Sequence, residues 1–307
     1  MNLLVIGNPA GANAKQPDEC PDEYRVWTDA QLIPEVQSAY YALGDEVVPA
    51  APPGGWDIAL LFNSAWRADT NELLHKLRQK NAHIRIALWV FDFGKASRIV
   101  QNKAVAARAD YFFYTDGHSD WDVHLPGGRL NQGVPSFWQH FNADESRGAD
   151  FVYAGRAYKH RLHVIEQLAA AGHTVTWHNN GPECAAIRNV EFAPPVYDEQ
   201  LFKACCRGRF CLVPSYKAGL SNYWSNRIYL AASTGVPCFV EEVGGLREEF
   251  LLDTHVIGFT SDTLADKVAH YKANYSTAER IGRSGREWVF SRHTYRHRLL
   301  TMLDLMK

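Results

Sequence analysis

The sequence predicts an α/β protein built as two Rossmann-like parallel-sheet domains facing a cleft, and three observations predict it. Short apolar runs alternate with segments of helical spacing through residue 114, a stretch rich in glycine follows at 115–148, and the alternation restarts at residue 150. Strand–helix alternation of this kind implies a parallel sheet with helices on both faces. Two such halves joined by a hinge set a cleft between two sets of strand carboxyl ends, where open α/β sheets bind ligands. The expected domains are 1–145 and 146–307.

In the first half, residues 3–6, 46–48, 57–62, 84–91 and 110–114 read as strands, rich in leucine, β-branched and aromatic side chains. Between them, 29–42 and 71–80 carry apolar residues at helical spacing, and 95–107 supplies a third helix. Gly117, Pro126, Gly127, Gly128, Gly133, Pro135 and Gly148 leave 115–148 with little periodicity, which makes it the inter-domain connection. In the second half, strands are expected at 150–154, 174–177, 210–213 and 236–240. Helices are expected at 160–171, closed by Gly172, at 198–206, and at 223–233, ended near Gly235. Residues 263–273 and 277–305 form the closing helices. No segment repeats at a period of roughly 20–50 residues, which excludes a solenoid.

Bulk properties narrow the class. A chain of 307 residues can bury a core in each of two domains, and 46% hydrophobic with 21% charged residues is a globular mixture. Met1-Asn2-Leu3-Leu4-Val5-Ile6-Gly7 has no basic segment, and its apolar run is far short of the roughly 18 residues of a membrane span. A cytoplasmic location is expected. Cys20, Cys184, Cys205, Cys206, Cys211 and Cys238 show no C-x-x-C spacing, so they read as buried thiols in a reducing compartment, with no zinc site. The net charge of −2 carries no general basic field, yet it is unevenly spread. Residues 1–145 hold 12 basic and 18 acidic side chains, whereas 146–307 hold 20 and 16. The second half is the natural host for a phosphate-bearing ligand.

Three segments of that half carry a family resemblance. The first is Phe151-Val152-Tyr153-Ala154-Gly155-Arg156-Ala157-Tyr158-Lys159-His160-Arg161, and the second is Ser225-Asn226-Arg227-Ile228-Tyr229-Leu230-Ala231-Ala232-Ser233-Thr234-Gly235-Val236-Pro237. The third is the tail, with Glu279-Arg280, Gly285-Arg286 and His293-Thr294-Tyr295 followed by Arg298. In this order they resemble the C-terminal domain of GT-B glycosyltransferases of the group 1 type found in spore-coat-protein-like transferases. The first half matches only loosely, at Trp89-Val90-Phe91-Asp92 and His124-Leu125-Pro126. The resemblance implies a GT-B-like fold with an acceptor-side domain at 1–145 and a nucleotide-sugar domain at 146–307. It further implies a UDP-sugar as co-substrate, no resident cofactor, and metal-independent transfer to a hydroxyl group.

The residues fit that chemistry. A departing nucleoside diphosphate needs positive charge that strengthens as the glycosidic bond breaks. Gly219, Leu220, Ser221 and Asn222 precede a helix, so their N–H groups either face a diphosphate or serve only as the helix cap. Arg227, beside Asn226, either reaches the same phosphates with a bidentate fork or makes a surface salt bridge. Gly155 permits close backbone approach, and Arg156, Lys159 and Arg161 set three cations in one turn at a helix start. Cations there oppose the helix dipole unless an anion is near. By the resemblance, the loop beginning at His178-Asn179-Asn180-Gly181 packs on the nucleobase; by residue type alone it is an Asn-Gly turn. One departure stands out: the family block carries a ribose-binding Glu where this chain has Leu230. Glu241, Glu242 or Glu248 replaces it, or the donor is held differently.

In the first half, Asp92 is the candidate general base, following the strongest strand, with a cap for the next helix as the competing role. His118, Asp116 and Asp120 are reserves, and Asn8 and Asn63 are candidates for the acceptor side. Asp120-Trp121-Asp122 spells D-x-D, which a three-residue match in a loop attributes to chance, so no metal is assigned. Gly7-Asn8-Pro9-Ala10-Gly11 lacks the dinucleotide fingerprint. The acceptor stays open between a glycan, a protein and a modified DNA base of the kind some phage enzymes glycosylate. For DNA speaks a local run, Lys76, Arg78, Lys80, Arg85, Lys95, Arg98, Lys103 and Arg108 against Asp92 alone within 73–108; against it, such runs are usually solvated helix faces. A third possibility is a chain that binds a nucleotide sugar without turnover.

Overall fold

The computed structural model describes residues 1–7, 22–42, 48–62, 70–91, 103–104, 106–115, 123–141, 148–178, 186–216 and 221–307. It divides into two compact units, Met1–Ser136 with Thr294–Lys307, and Phe137–His293.

The first unit holds six strands: β1 (Asn2–Gly7), β2 (Gln37–Ala42), β3 (Ile58–Phe62), β4 (Arg85–Val90), β5 (Tyr111–Tyr114) and β6 (Gly127–Arg129). They form one sheet in the order β2-β1-β3-β4-β5-β6, parallel throughout. Helices α1 (Asp22–Ala30) and α2 (Thr70–Lys80) pack on opposite faces. Along β1 the side chains alternate: Leu3 and Val5 join the core beneath α1 and the C-terminal helix, while Leu4 and Ile6 join the core beneath α2. Burial on both faces explains the unbroken apolar run.

Two expectations fail in this unit. Residues 29–42 are not one helix: α1 ends at Ala30, and Gln37–Ala42 pairs with β1 from Asn2↔Gln37 to Gly7↔Ala42. Pro34 is the physical reason, because it lacks an N–H and its ring clashes with the preceding turn. The stretch 115–148 is not plain connection either. Its Gly127-Gly128-Arg129 forms the edge strand β6, where a Cβ on Gly127 would overlap the Phe112 carbonyl oxygen, and Ser136–His140 is a 3-10 helix. Most of the expected strand at 46–48 and most of the helix at 95–107 fall outside the described residues, and Val48 is not in a strand.

The second unit contains β7 (Ala149–Ala154), α3 (Lys159–Ala170), β8 (Val175–His178), β9 (Val190–Ala193), α4 (Asp198–Cys206), β10 (Gly208–Val213), α5 (Arg227–Ala232) and β11 (Cys238–Glu241). It continues with α6 (Leu246–Glu249), β12 (Ile257–Phe259), α7 (Leu264–Ala273) and α8 (Tyr275–Arg292). The sheet order is β12-β11-β10-β7-β8-β9, again parallel.

The unit boundaries differ from 145/146. The first break comes at Ser136/Phe137, and the chain returns to the first unit at Thr294. The single helix expected at 277–305 is therefore two. Thr294 adopts an extended conformation and its Oγ1 accepts the His297 N–H at 3.3 Å, starting a new helix, α9 (Tyr295–Leu305). Tyr295, Leu299, Met302 and Leu303 of α9 belong to the apolar core of the first unit. Buried Asp29 of α1 ties α9 down by accepting the Arg296 N–H at 2.8 Å and the Ser136 N–H at 2.9 Å.

Cys205, Cys206, Cys211 and Cys238 are free and buried, as read from the sequence; Cys20 and Cys184 lie outside the described residues. A hydrogen bond with Cys205, and then burial, push the Cys211 thiol well above the usual range. Such thiols are inert packing.

Helix α8 seats by glycine. A Cβ on Gly282 would overlap the Gly235 carbonyl oxygen and stand 2.8 Å from the Pro237 nitrogen. Gly285, a turn later, sits the same way on the His255 carbonyl. Gly282→Ala is expected to cost about 1–3 kcal/mol of overpacking strain. A urea titration should show a lowered midpoint at unchanged slope; an unmoved midpoint would mean that the close contact does not hold.

Candidate functional site

In the second unit the connections from β7 and β10 leave in opposite directions: β7 leads through α3 to β8, and β10 through α5 to β11. Ligands of open α/β sheets bind beyond the strand carboxyl ends at such a switch point. Gly155 stands there, directly after β7, with φ +155°. Its N–H donates to the His178 carbonyl at 2.9 Å and its carbonyl accepts the Trp177 Nε1–H at 2.8 Å. A Cβ on it would lie 2.5 Å from the Tyr153 hydroxyl and 2.9 Å from Arg227 Nε. The glycine required by the sequence pattern thus makes room for an arginine.

The three cations expected together at the start of α3 separate. Arg156 and Lys159 are exposed, whereas Arg161 is 3% exposed and turns inward. Its Nε donates to the Ser215 carbonyl, just past β10, at 3.3 Å, and its guanidinium lies 5.1 Å from the Tyr158 ring centre. The buried Tyr153 hydroxyl donates to the Arg156 carbonyl at 3.1 Å. Burial raises its pKa, and the nearby guanidiniums of Arg161 and Arg227 work in the opposite direction. Two arginines, from α3 and α5, therefore converge on one tyrosine at the end of β7.

Arg227 opens α5. Its Nη1 donates to Ser225 Oγ at 3.0 Å, and beside it the Asn226 Oδ1 is buried with no hydrogen-bond partner among the described residues. Ser221 and Asn222 do not offer backbone donors at a helix start, as the sequence suggested. The helix begins only at Arg227, and the Asn222 N–H is spent on the Gly244 carbonyl at 2.7 Å. Their side chains rest on Gly244 and Gly245, where any Cβ would strike Ser221 Oγ or Asn222 Oδ1. Gly219 and Leu220 lie outside the described residues. His178 closes β8 with Nδ1 2.7 Å from the Pro194 carbonyl; a carbonyl only accepts, so Nδ1 carries the proton and Nε2 is the remaining acceptor. Asn179, Asn180 and Gly181 are outside the described residues.

Leu230 is buried and lines a small cavity with Val152, Ala154, Cys211 and Arg227. Two of its suggested substitutes are already engaged. Glu242 holds Arg247 at 2.6 and 3.0 Å, and buried Glu241 holds His160 and the Ser215 N–H. The sequence named Glu241 only as a substitute for the ribose-binding Glu; its pairing with His160, and the place of Tyr153, went unnoticed. The available signal was a carboxylate closing the apolar strand Cys-Phe-Val-Glu at its carboxyl end.

Asp92, Asn8, Asn63 and His118, with Asp116 and Asp120, all fall outside the described residues. In the chain, Asn8, Asn63 and Asp92 follow within two residues of the ends of β1, β3 and β4. The basic run of the first unit is less bare than its window implied. Lys76 pairs with Glu72 at 2.6 Å, Arg78 with Asp110 at 2.9 Å, and Arg85 donates to the Met306 carbonyl. Among the described residues, no helix is long and apolar enough to cross a membrane.

Two six-stranded parallel units, one carrying paired arginines at its switch point, define the GT-B class of glycosyltransferase architecture. Residues 139–304 match the family described as glycosyl transferase-like, and the chain belongs to that family: it is a glycosyltransferase. No match is found among curated protein sequences. The sucrose-phosphate synthase of Thermosynechococcus elongatus superposes with a TM-score of 0.67 at 14% identity, over 99% of this chain and 98% of its own. An α-glucosyltransferase solved with UDP and a 13-mer DNA containing an A:G mismatch gives 0.69 at 9%, over 100% and 99%. The Anabaena protein HepE, solved with UDP and glucose, gives 0.66 at 10%, over 100% and 99%. At such identities the likeness is one of fold.

Proposed function

We propose that the chain moves a sugar from a nucleoside diphosphate donor, of which UDP is the first choice, to a hydroxyl acceptor, with no divalent metal in the chemical step. The convergence of Arg161 and Arg227 on Tyr153, with Arg227 against Gly155, carries the reading. Two guanidiniums at a strand carboxyl end supply the fixed positive charge that a departing diphosphate requires. UDP is favoured because the α-glucosyltransferase and HepE of the same fold were solved with it. Asp92 is the proposed base for the acceptor hydroxyl. A DNA acceptor is the weaker alternative, since Lys76, Arg78 and Arg85 are committed within the protein.

Thermal unfolding across a panel of nucleotides and nucleotide sugars tests the donor. A ligand at 100 times its dissociation constant adds about 2.7 kcal/mol, and UDP and UDP-sugars are expected to shift the midpoint most. A panel without any shift would remove the donor reading. Activity unchanged in EDTA is the expected result for the metal; loss restored by Mn²⁺ would overturn that half.

A further inference from the structure

The chain passes between the units twice, leaving the first after Ser136 and re-entering it at Thr294. One buried carboxylate reaches both places. Asp29, near the end of α1, has no exposed surface. Its Oδ1 accepts the Ser136 N–H at 2.9 Å, and its Oδ2 accepts the Ser136 hydroxyl and the Arg296 N–H, each at 2.8 Å. The two segments are also joined directly. Val134 and Thr294 form a parallel bridge, the Tyr295 N–H donates to the Val134 carbonyl at 2.9 Å, and Arg298 Nε donates to the Gln132 carbonyl at 3.1 Å.

Among the described residues the Asp29 side chain meets donors only, which is what an ionised carboxylate requires. Burial raises its pKa, and the bonds from Ser136 and Arg296 work against that rise. The first turn of α9 favours an anion through the helix dipole. Seating α9 does not need such a group. Tyr295, Leu299 and Met302 are already buried in the core of the first unit, and Thr294 caps the helix. A buried charge is costly, so an apolar side chain would serve better if packing were all. What the carboxylate adds is a bond to a second segment, and that segment is the other crossing.

We infer that Asp29 fastens both crossings at one point, so that the orientation of the second unit on the first is held through a single carboxylate. The fastening stands without the donor reading, and its consequence for transfer rests on that reading. A donor held in the second unit meets a base at Asp92 in the first only if the orientation is kept. Asp29 is then a positioning residue.

Single-molecule energy transfer between dyes on the two units tests this. Exposed Lys80 of α2 and Lys203 of α4 take the dyes as Lys80→Cys and Lys203→Cys. Cys20→Ser and Cys184→Ser leave only the four buried thiols. The parent should give a narrow distance distribution, and Asp29→Asn should broaden it. Whichever way the asparagine turns, its NH₂ faces a backbone N–H of one crossing. UDP-glucose affinity should stay within about twofold, because the donor arginines lie in the second unit. Leu74→Ala, in the core beneath α2, should lower the melting midpoint without broadening. Ser136→Ala removes the hydroxyl bond alone and should broaden the distribution less; it decides the matter if Asp29→Asn does not fold. An unbroadened distribution in the deciding variant would overturn the inference, and so would equal broadening by Leu74→Ala. Loss of UDP-glucose affinity in Asp29→Asn would also overturn it, since the damage would then extend beyond the crossings. Failure of the parent to bind UDP-glucose or any nucleotide sugar of the panel would remove the donor reading and leave the fastening to the distances.

Discussion

Arg227→Ala is expected to weaken donor binding and lower kcat/KM by about 10- to 100-fold while the protein stays folded. A charge-assisted hydrogen bond lost from a partly buried site is worth about 1.5–3 kcal/mol. The geometry concentrates that loss on ligand binding. Nε stands beside Gly155 at the carboxyl end of β7, and Nη1 donates to the neighbouring Ser225 Oγ at 3.0 Å. Stability should hardly change, because a cation at the first position of α5 opposes the helix dipole and alanine is the better helix former there. Arg227→Lys should recover only part of the loss, since an ammonium keeps the charge without the planar fork. Titration calorimetry with the stabilising nucleotide, paired with initial rates, reads both quantities. Normal kinetics in a folded Arg227→Ala protein would remove its phosphate role.

Asp92→Asn is expected to keep donor affinity and lose transfer by roughly 10²–10⁴-fold, the usual contribution of a positioned general base. The ground is its place in the chain, two residues after the last residue of β4, whose side chains Ile86 to Val90 are buried on both faces of the sheet. Asparagine keeps the size and most of the capping ability of aspartate, so a purely structural Asp92 should tolerate the change within about 1 kcal/mol. Single-turnover rates at saturating donor, with the anomeric configuration of the product, decide the matter. Near-normal turnover would move the base to His118 or Asp116, and a retained configuration would remove the need for one.

Legibility followed locality. Helix α4 was placed correctly, at 198–206, because its apolar spacing and flanks are local. The strands at 57–62, 84–91 and 110–114 were placed to within a residue, since double-sided burial leaves an unbroken apolar run. Strand β2 was lost to a helical pattern because Tyr40 and Tyr41 satisfy either period, and pairing with β1 settled the choice. β6 was illegible: Gly-Gly-Arg has no pattern, and it is a strand because it can lie against β5. In the site, Gly155 and Arg227 were readable from motif and spacing. Arg161 was grouped with Arg156 and Lys159 by adjacency, yet their directions diverge, which helix rotation decides and composition does not.

The sequence by itself determined the α/β class, two parallel sheets and the family, and singled out the half that carries the arginines proposed to bind phosphate, because periodicity and motifs are properties of short stretches. Only the tertiary structure decided that α9 returns to the first unit, that the Asn222 N–H is already taken, and that His160, Glu241, Arg161 and Ser215 form one cluster. Those four residues come from α3, β11 and the end of β10, up to 81 positions apart. Bringing them together depends on the order in which parallel strands enter the sheet, and no local pattern of side chains encodes that order.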